Sequence, residues 1–142
     1  MISKPSDGKI IVIGIDPGVN TGIAVYNRSI KKIEELRTMQ LHDAFELILS
    51  YRSLIKLVRI EDARKRKWLG PNADEKQQGA GSVKRDCKAW EDFLIAKGIP
   101  FELVPPGKAR TKIHAKYFNQ LTGWTKVTSN HARDAGMLVW GI

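Results

Sequence analysis

A chain of 142 residues, 42% of them hydrophobic, is long enough to bury the core of one compact domain. It has no apolar run of about 18 residues and no signal-peptide segment, so we expect an intracellular, cytoplasmic protein that does not enter a membrane. The single cysteine, Cys87, excludes an internal disulfide and a cysteine-rich zinc site. The net charge of +9 suggests a polyanionic partner, usually nucleic acid, although a basic surface that serves only solubility is the alternative.

The first half of the chain predicts a run of three strands, a helix and a further strand. In chain order these are strands at residues 10–15, 21–26 and 32–38, a helix at 42–56 and a strand at 57–62. Pro17-Gly18 and Gly22 predict a tight turn between the first two strands. The helix is predicted from apolar residues at helical spacing: Leu41, Ala44, Phe45, Ile48 and Ile55. Because a helix joins the third and fourth strands, we expect a parallel crossover.

The second half of the chain predicts helices around one more strand, after a polar segment at residues 63–81. In chain order these are a helix from about 73 to 97, a strand at 101–104, a helix at 108–121 and a last helix that starts at its N-cap, Asn130. The residues expected to face inward are Val83, Cys87, Trp90 and Leu94, then Ile113, Tyr117, Phe118 and Leu121. The whole pattern predicts a single α/β domain over residues 1–142, with a mixed five-stranded sheet, helices on both faces and loose residues 1–8.

Four side chains with catalytic chemistry stand where elements end or begin. Asp16 ends the first strand, Glu61 ends the fourth, and the first turn of the last helix carries His131 and Asp134. If the first and fourth strands are parallel neighbours, their C-terminal ends bring Asp16 and Glu61 together, at the edge where open α/β sheets place their sites. His131 and Asp134 share a helix face because they are three residues apart. We therefore expect one acid cluster.

Such a cluster predicts a metal site, because carboxylates this close together repel one another unless cations neutralise them. Hard divalent ions such as Mg²⁺ or Mn²⁺ prefer oxygen ligands, and two of them about 3.5–4 Å apart activate a water and stabilise the leaving oxygen of a phosphodiester. His131 would add a nitrogen ligand or accept the proton of the water. Two alternatives stay open: Asp16 caps a turn, or His131 is a surface histidine. Asp62 is not expected to be a ligand, because neighbouring strand residues point to opposite faces.

Four motifs of the chain resemble those of the RuvC-type Holliday junction resolvases, which belong to the ribonuclease H-like superfamily. They are Gly14-Ile15-Asp16-Pro17-Gly18 with Thr21-Gly22; Ile60-Glu61; Asn72-Ala73-Asp74 with Gln78-Gly79-Ala80-Gly81; and His131-Ala132-Arg133-Asp134-Ala135. Each motif is weak alone, but four in the family's order and spacing are specific, and the resemblance spans most of the chain.

The resemblance implies a ribonuclease H-like fold and a homodimeric, metal-dependent endonuclease that cuts two strands of a four-way DNA junction symmetrically. It implies two Mg²⁺ ions in each active site, for which Mn²⁺ is expected to substitute, held by Asp16, Glu61, His131 and Asp134. The predicted central helix, 73–97, is expected to contribute to the dimer interface. A short segment after Pro106 and a basic run after Glu61 depart from the family's pattern, and they fit a divergent, phage-type resolvase.

That basic run is expected to contact DNA, together with an aromatic residue and two lysines further on. The run consists of Arg64, Lys65, Arg66 and Lys67. Phosphate contacts there would raise affinity and make it salt-dependent, and Trp68 would stack on an unpaired base. Lys108 and Lys112 resemble the family's basic residues near the scissile phosphate. The alternatives are a solvated basic loop with Trp68 in the core or dimer interface, and an ordinary exposed helix face for the two lysines.

Two other functions compete with junction cleavage. A related ribonuclease H-like nuclease that processes ribosomal RNA precursors shares the first motif's strand, aspartate and glycine, but Asp16-Pro17-Gly18 and Asn72-Ala73-Asp74 favour the resolvase. A basic, non-catalytic junction-binding module with a relic acid cluster would require one of Asp16, Glu61 or Asp134 to lie away from the others. Both alternatives keep a nucleic acid as the partner.

Overall fold

The computed structural model of the chain describes residues 8–65, 81–106 and 113–142. Within them it shows an α/β fold around one five-stranded sheet. The strands are β1 (Ile11–Asp16), β2 (Thr21–Asn27), β3 (Lys32–Met39), β4 (Ile55–Glu61) and β5 (Phe101–Val104). The helices are α1 (Leu41–Ser50), α2 (Gly81–Lys97), α3 (Ala115–Thr122) and α4 (Asn130–Val139), and short 3₁₀ turns lie at Arg52–Leu54 and Ala63–Lys65.

The sheet is mixed, in the order β3-β2-β1-β4-β5. The hairpin contacts β1–β2 and β2–β3 are antiparallel, whereas β1–β4 and β4–β5 are parallel. Ile15 of β1 is aligned with Ile60 of β4, so these two strands end side by side at the same edge. The predicted α/β class, mixed sheet and parallel crossover are confirmed, and the arrangement is consistent with a ribonuclease H-like fold.

Helices cover both faces of the sheet, because the strands alternate their apolar side chains between two cores. On one face, Ile11, Ile13 and Ile15 of β1 pack with residues of α1 and α2. On the other face, Val12 packs with α3 and α4. Side chains at every second position of a strand point to the same face. The even-numbered residues of β1, which include Gly14 and Asp16, therefore face α4.

Several details of the sequence prediction are wrong. The first helix ends at Ser50, and Ile55 belongs to β4, where it is aligned with Ile11 of β1. A β-branched residue fits this strand pairing better than a further helical turn. Tyr117 and Leu121 are 58% and 38% exposed, because the eight-residue helix α3 buries only the side that carries Phe118.

The N-cap of α4 is Ser129 rather than Asn130. The hydroxyl of Ser129 accepts a hydrogen bond from the backbone N–H of Ala132, at 3.1 Å. The side-chain oxygen of Asn130 accepts a hydrogen bond from Arg133 instead. The predicted helical residues 73–80 and 108–112 lie outside the described residues.

Among residues 8–65, 81–106 and 113–142, no helix is both long and apolar enough to cross a bilayer.

Candidate active site

Asp16 and Glu61 lie at the same edge of the sheet and on the same face. Ile15 and Ile60 are paired across β1 and β4, so the next residue of each strand stands beside its counterpart. Every second residue of β4 points to the face that α4 covers: Leu57 packs there and Arg59 donates to Leu138 of α4, so Glu61 points there too. The same alternation in β1 places Asp16 on the face of Val12. Strand register and alternation thus bring two carboxylates together where the sequence predicted them.

Two glycines allow α4 to lie directly on this face. A Cβ atom at Gly14 would overlap the carbonyl oxygen of Ala135, and one at Gly22 would overlap the carbonyl oxygen of His131. Gly22, which the sequence assigned to a turn, is the β2 partner of Asp16. The missing side chains therefore bring the first turn of α4 against the sheet beside Asp16. A glycine inside an apolar strand often marks such a close approach, so Gly14 carried a signal for it.

Both ends of α4 are held in place by polar contacts. At the N-terminal end, the hydroxyl of the N-cap Ser129 lies 2.5 Å from the hydroxyl of Thr38 on β3. Near the C-terminal end, Nη1 of Arg59 donates to the carbonyl oxygen of Leu138 at 2.6 Å. A cation is favourable there, because the last carbonyls of a helix carry partial negative charge. The helix is therefore held across the sheet, from β3 at its N-terminal end to β4 near its C-terminal end.

His131 of α4 contacts Asp16 directly. Its Nδ1 lies 3.0 Å from Oδ2 of Asp16. The His131 side chain is 49% exposed and that of Asp16 only 15%, so the pair opens to solvent on the histidine side. Asp134 lies one turn further along α4 and is half-buried. Of the four predicted residues, the structure thus brings His131 into direct contact with Asp16, while Glu61 lies beside Asp16 on the neighbouring strand and Asp134 one turn further along α4.

The residues offer a donor set that suits hard divalent ions, namely carboxylate oxygens and one imidazole nitrogen. Within residues 8–65, 81–106 and 113–142, however, no three His, Cys, Asp or Glu side chains converge closely enough to hold a metal ion. The four residues therefore suit a metal ion in their ligand types and in their position in the fold, but not in the distances between their side chains. Holding an ion requires these side chains to come closer together than they do among the described residues.

Asp62, which directly follows Glu61 at the end of β4, lies on the opposite side of the sheet. It is only 2% exposed, and its carboxylate accepts hydrogen bonds from Arg64: from Nε at 2.8 Å and from Nη2 at 3.1 Å. Burial alone would raise the pKa of Asp62, but the hydrogen bonds and charge of Arg64 outweigh it and lower that pKa. The same pairing raises the pKa of Arg64. As the sequence predicted, Asp62 does not share the face of Glu61.

The predicted DNA contacts fall into two groups. Arg64 is turned inward to Asp62 and to Glu91 of α2, and Nζ of Lys65 donates to the carbonyl oxygen of Leu103 at 3.1 Å. The others lie outside the described residues: Arg66, Lys67, Trp68, Lys108 and Lys112.

Arg133, inside the last motif, is a structural residue that the sequence did not single out. It is 8% exposed, and its guanidinium donates to the carbonyl oxygen of Ile113 at 3.0 Å and to that of Thr128 at 2.8 Å. These bonds connect α4 to the segment that leads into α3. An arginine between His131 and Asp134 resembled one more basic surface residue, and no sequence pattern distinguished it.

Comparison with models of known protein families found no match to the chain, and comparison with curated proteins found none either. The likeness to the junction resolvases therefore rests on the four motifs and is compatible with the observed sheet. The support for a function therefore comes from the geometry of the site.

Proposed function

We propose that the protein is a metal-dependent endonuclease that cuts branched DNA, chiefly four-way junctions. The observation that supports this most directly is the position of Asp16 and Glu61 on aligned strand ends, under the helix that carries His131 and Asp134. Ribonuclease H-like nucleases of the resolvase type use acids in these sequence positions. The positively charged chain suits a polyanionic substrate.

In this proposal, Asp16, Glu61, His131 and Asp134 hold two Mg²⁺ ions, or Mn²⁺ in their place. Bound there, the ions would supply an activated water and charge stabilisation for the leaving oxygen of the phosphodiester. The hydrogen bond that Nδ1 of His131 makes to the carboxylate of Asp16 fixes the imidazole at the solvent side of the pair. Because Nδ1 is engaged by Asp16, the other ring nitrogen of His131, Nε2, would either bind a metal ion or accept a proton from water that approaches from solvent. The close approach of α4 at Gly22 sets the distance between His131 and Asp16.

A homodimer is part of the proposal, because one cut in each of two symmetric strands needs two active sites related by a two-fold axis. Ile95, which is 63% exposed on a helix whose buried side carries Trp90 and Leu94, is the position at which a subunit contact through α2 can be tested. A single exposed apolar residue is ordinary on a protein surface, so the dimer rests on the symmetry of the substrate.

A non-catalytic junction-binding module is the second candidate, and the lack of a converged metal site among the described residues favours it. Such a module would bind junction DNA through the same basic residues as the nuclease but would not cleave it. Cleavage therefore separates the two functions, whereas binding alone does not.

The deciding experiment incubates the purified protein with end-labelled four-way junction, flap and duplex DNA, and with structured ribosomal RNA precursor, in Mg²⁺ and in EDTA. We expect paired nicks in the junction only with Mg²⁺, and little cutting of duplex. Binding without cleavage in Mg²⁺ and in Mn²⁺ would instead support the non-catalytic module. Preferential cutting of the RNA would support the precursor-processing nuclease.

A further inference from the structure

The two consecutive acids at the end of β4 point to opposite sides of the sheet. Glu61 belongs to the α4 face, whereas Asp62 is buried on the side of α2. The backbone between them is held as well, because the N–H of Asp62 donates to the carbonyl oxygen of Val104 on β5 at 2.8 Å. Whatever fixes Asp62 therefore also fixes the backbone from which the Glu61 side chain extends.

Arg64 fixes Asp62 through a two-point contact. Its Nε and Nη2 each donate to a different oxygen of the carboxylate, at 2.8 and 3.1 Å. The backbone N–H of Arg64 also donates to Oδ1 of Asp62, at 3.0 Å, so the same carboxylate closes the turn Ala63–Lys65. Paired contacts of this kind define orientation as well as distance, which a lysine cannot do.

Glu91 extends the contact to α2. Its two carboxylate oxygens lie 3.4 Å from Nη1 and Nη2 of Arg64. The guanidinium thus lies between two carboxylates, and the three side chains together carry a net charge of −1. A DNA phosphate brought to Arg64 would meet the negative charge of Asp62 and Glu91, which opposes binding there.

We infer that Asp62, Arg64 and Glu91 form a positioning network that holds Glu61 at the edge of the sheet, and that Arg64 serves turnover rather than DNA affinity. The inference rests on the proposed nuclease function, because it assigns these residues a task toward Glu61. It replaces the DNA contact that was predicted for Arg64 from the basic run. Lys65, which is exposed, keeps its predicted role as a DNA contact.

The test compares Arg64→Lys and Arg64→Gln with Lys65→Gln in single-turnover cleavage and in junction binding without metal. Residues that support a metal ligand typically contribute 10–100-fold to metal affinity or activity. We therefore expect Arg64→Lys to slow cleavage by roughly tenfold or more and to raise the Mg²⁺ concentration at half-maximal rate, with unchanged junction affinity and salt dependence. A role in folding alone would not raise that Mg²⁺ concentration in protein shown to be folded by circular dichroism.

The comparison variant, Lys65→Gln, should lower the slope of log K against log salt by about one unit, as expected for the loss of one phosphate contact. Lys56→Gln, at an exposed position at the start of β4, is the control and should leave both cleavage and the salt slope close to wild type. Should Arg64→Gln lower that slope instead, with Arg64→Lys cutting at the wild-type rate, Arg64 is a phosphate contact and the inference is wrong. If Arg64→Lys does not fold, Glu91→Gln decides: slower cleavage at unchanged affinity supports the network, and unchanged cleavage overturns it. Absence of cleavage by the wild-type protein would overturn both the proposed function and this inference.

Discussion

Gly22 is the residue at which the packing of α4 is most sensitive to substitution. A methyl group there would overlap backbone atoms of His131, so Gly22→Ala must push the first turn of α4 away from the sheet. We expect a loss of about 1–3 kcal/mol in the free energy of unfolding, together with a large loss of cleavage, because His131 moves from Asp16. Urea unfolding and junction cleavage measure the two effects.

Gly18→Ala is the matched control for that substitution. A Cβ at Gly18 would have its nearest contact at 3.5 Å, from the carbonyl oxygen of Asn20, which is an ordinary packing distance. Stability and cleavage should both stay near wild type. Equal effects of the two substitutions would mean that the turn, and not the contact between β2 and α4, depends on glycine.

At the scale of single residues, the sequence was most informative where chemistry and position coincide. Asp16 and His131 could be chosen because one ends a buried strand and the other begins a helix, and the structure brings them to 3.0 Å. The contact of Arg64 with Asp62 and Glu91 could not be predicted, because a basic run looks the same whether its members face solvent or neighbouring acids. Its partner Glu91 lies 27 residues further on, and only the packing of α2 reveals the contact.

At the scale of elements, Ser129 connects the start of α4 to the edge of the sheet. Its hydroxyl caps the helix and lies beside the hydroxyl of Thr38. Ser129→Ala should lower the free energy of unfolding by about 1 kcal/mol, the usual contribution of an N-cap. Thr125→Ala, at an exposed position in the same loop, is the control and should have little effect. An equal loss in both variants would contradict the assignment of Ser129 as the cap.

The existence and order of the elements could be predicted from hydrophobic period, but several of their boundaries could not. Ile55 fits the helical spacing of α1 and also fits a strand, and pairing with β1 decides between the two. Tyr117 and Leu121 have the spacing of a buried stripe, yet α3 is too short to bury them. For Ile55 a contact distant in sequence determined the outcome, which a local pattern does not contain.

For the whole molecule, we predict a dimer in which α2 contributes to the interface. Ile95→Asp should shift the sedimentation coefficient from that of a dimer toward that of a monomer, because it places a charge in an apolar contact. Val127→Asp is the matched control: Val127 is 99% exposed and outside α2, so this variant should remain dimeric. A wild-type protein that sediments as a monomer, alone and on junction DNA, would contradict the predicted assembly.

In the proposed nuclease, the acids Asp16, Glu61 and Asp134 govern the rate of cleavage, whereas the basic residues govern the affinity for DNA. Asp16→Asn tests this division most directly, because it removes one carboxylate charge at the edge of the sheet and leaves the basic residues unchanged. Asp43→Asn, on the exposed side of α1, makes the same chemical change on the opposite face and serves as the control. The decisive measurement is the single-turnover rate of nicking of a labelled four-way junction in Mg²⁺, with junction affinity measured in parallel in EDTA. We expect no detectable nicking by Asp16→Asn at wild-type affinity, and normal nicking by Asp43→Asn. Nicking by Asp16→Asn at near the wild-type rate would contradict this expectation, since the acid cluster would then not be the active site.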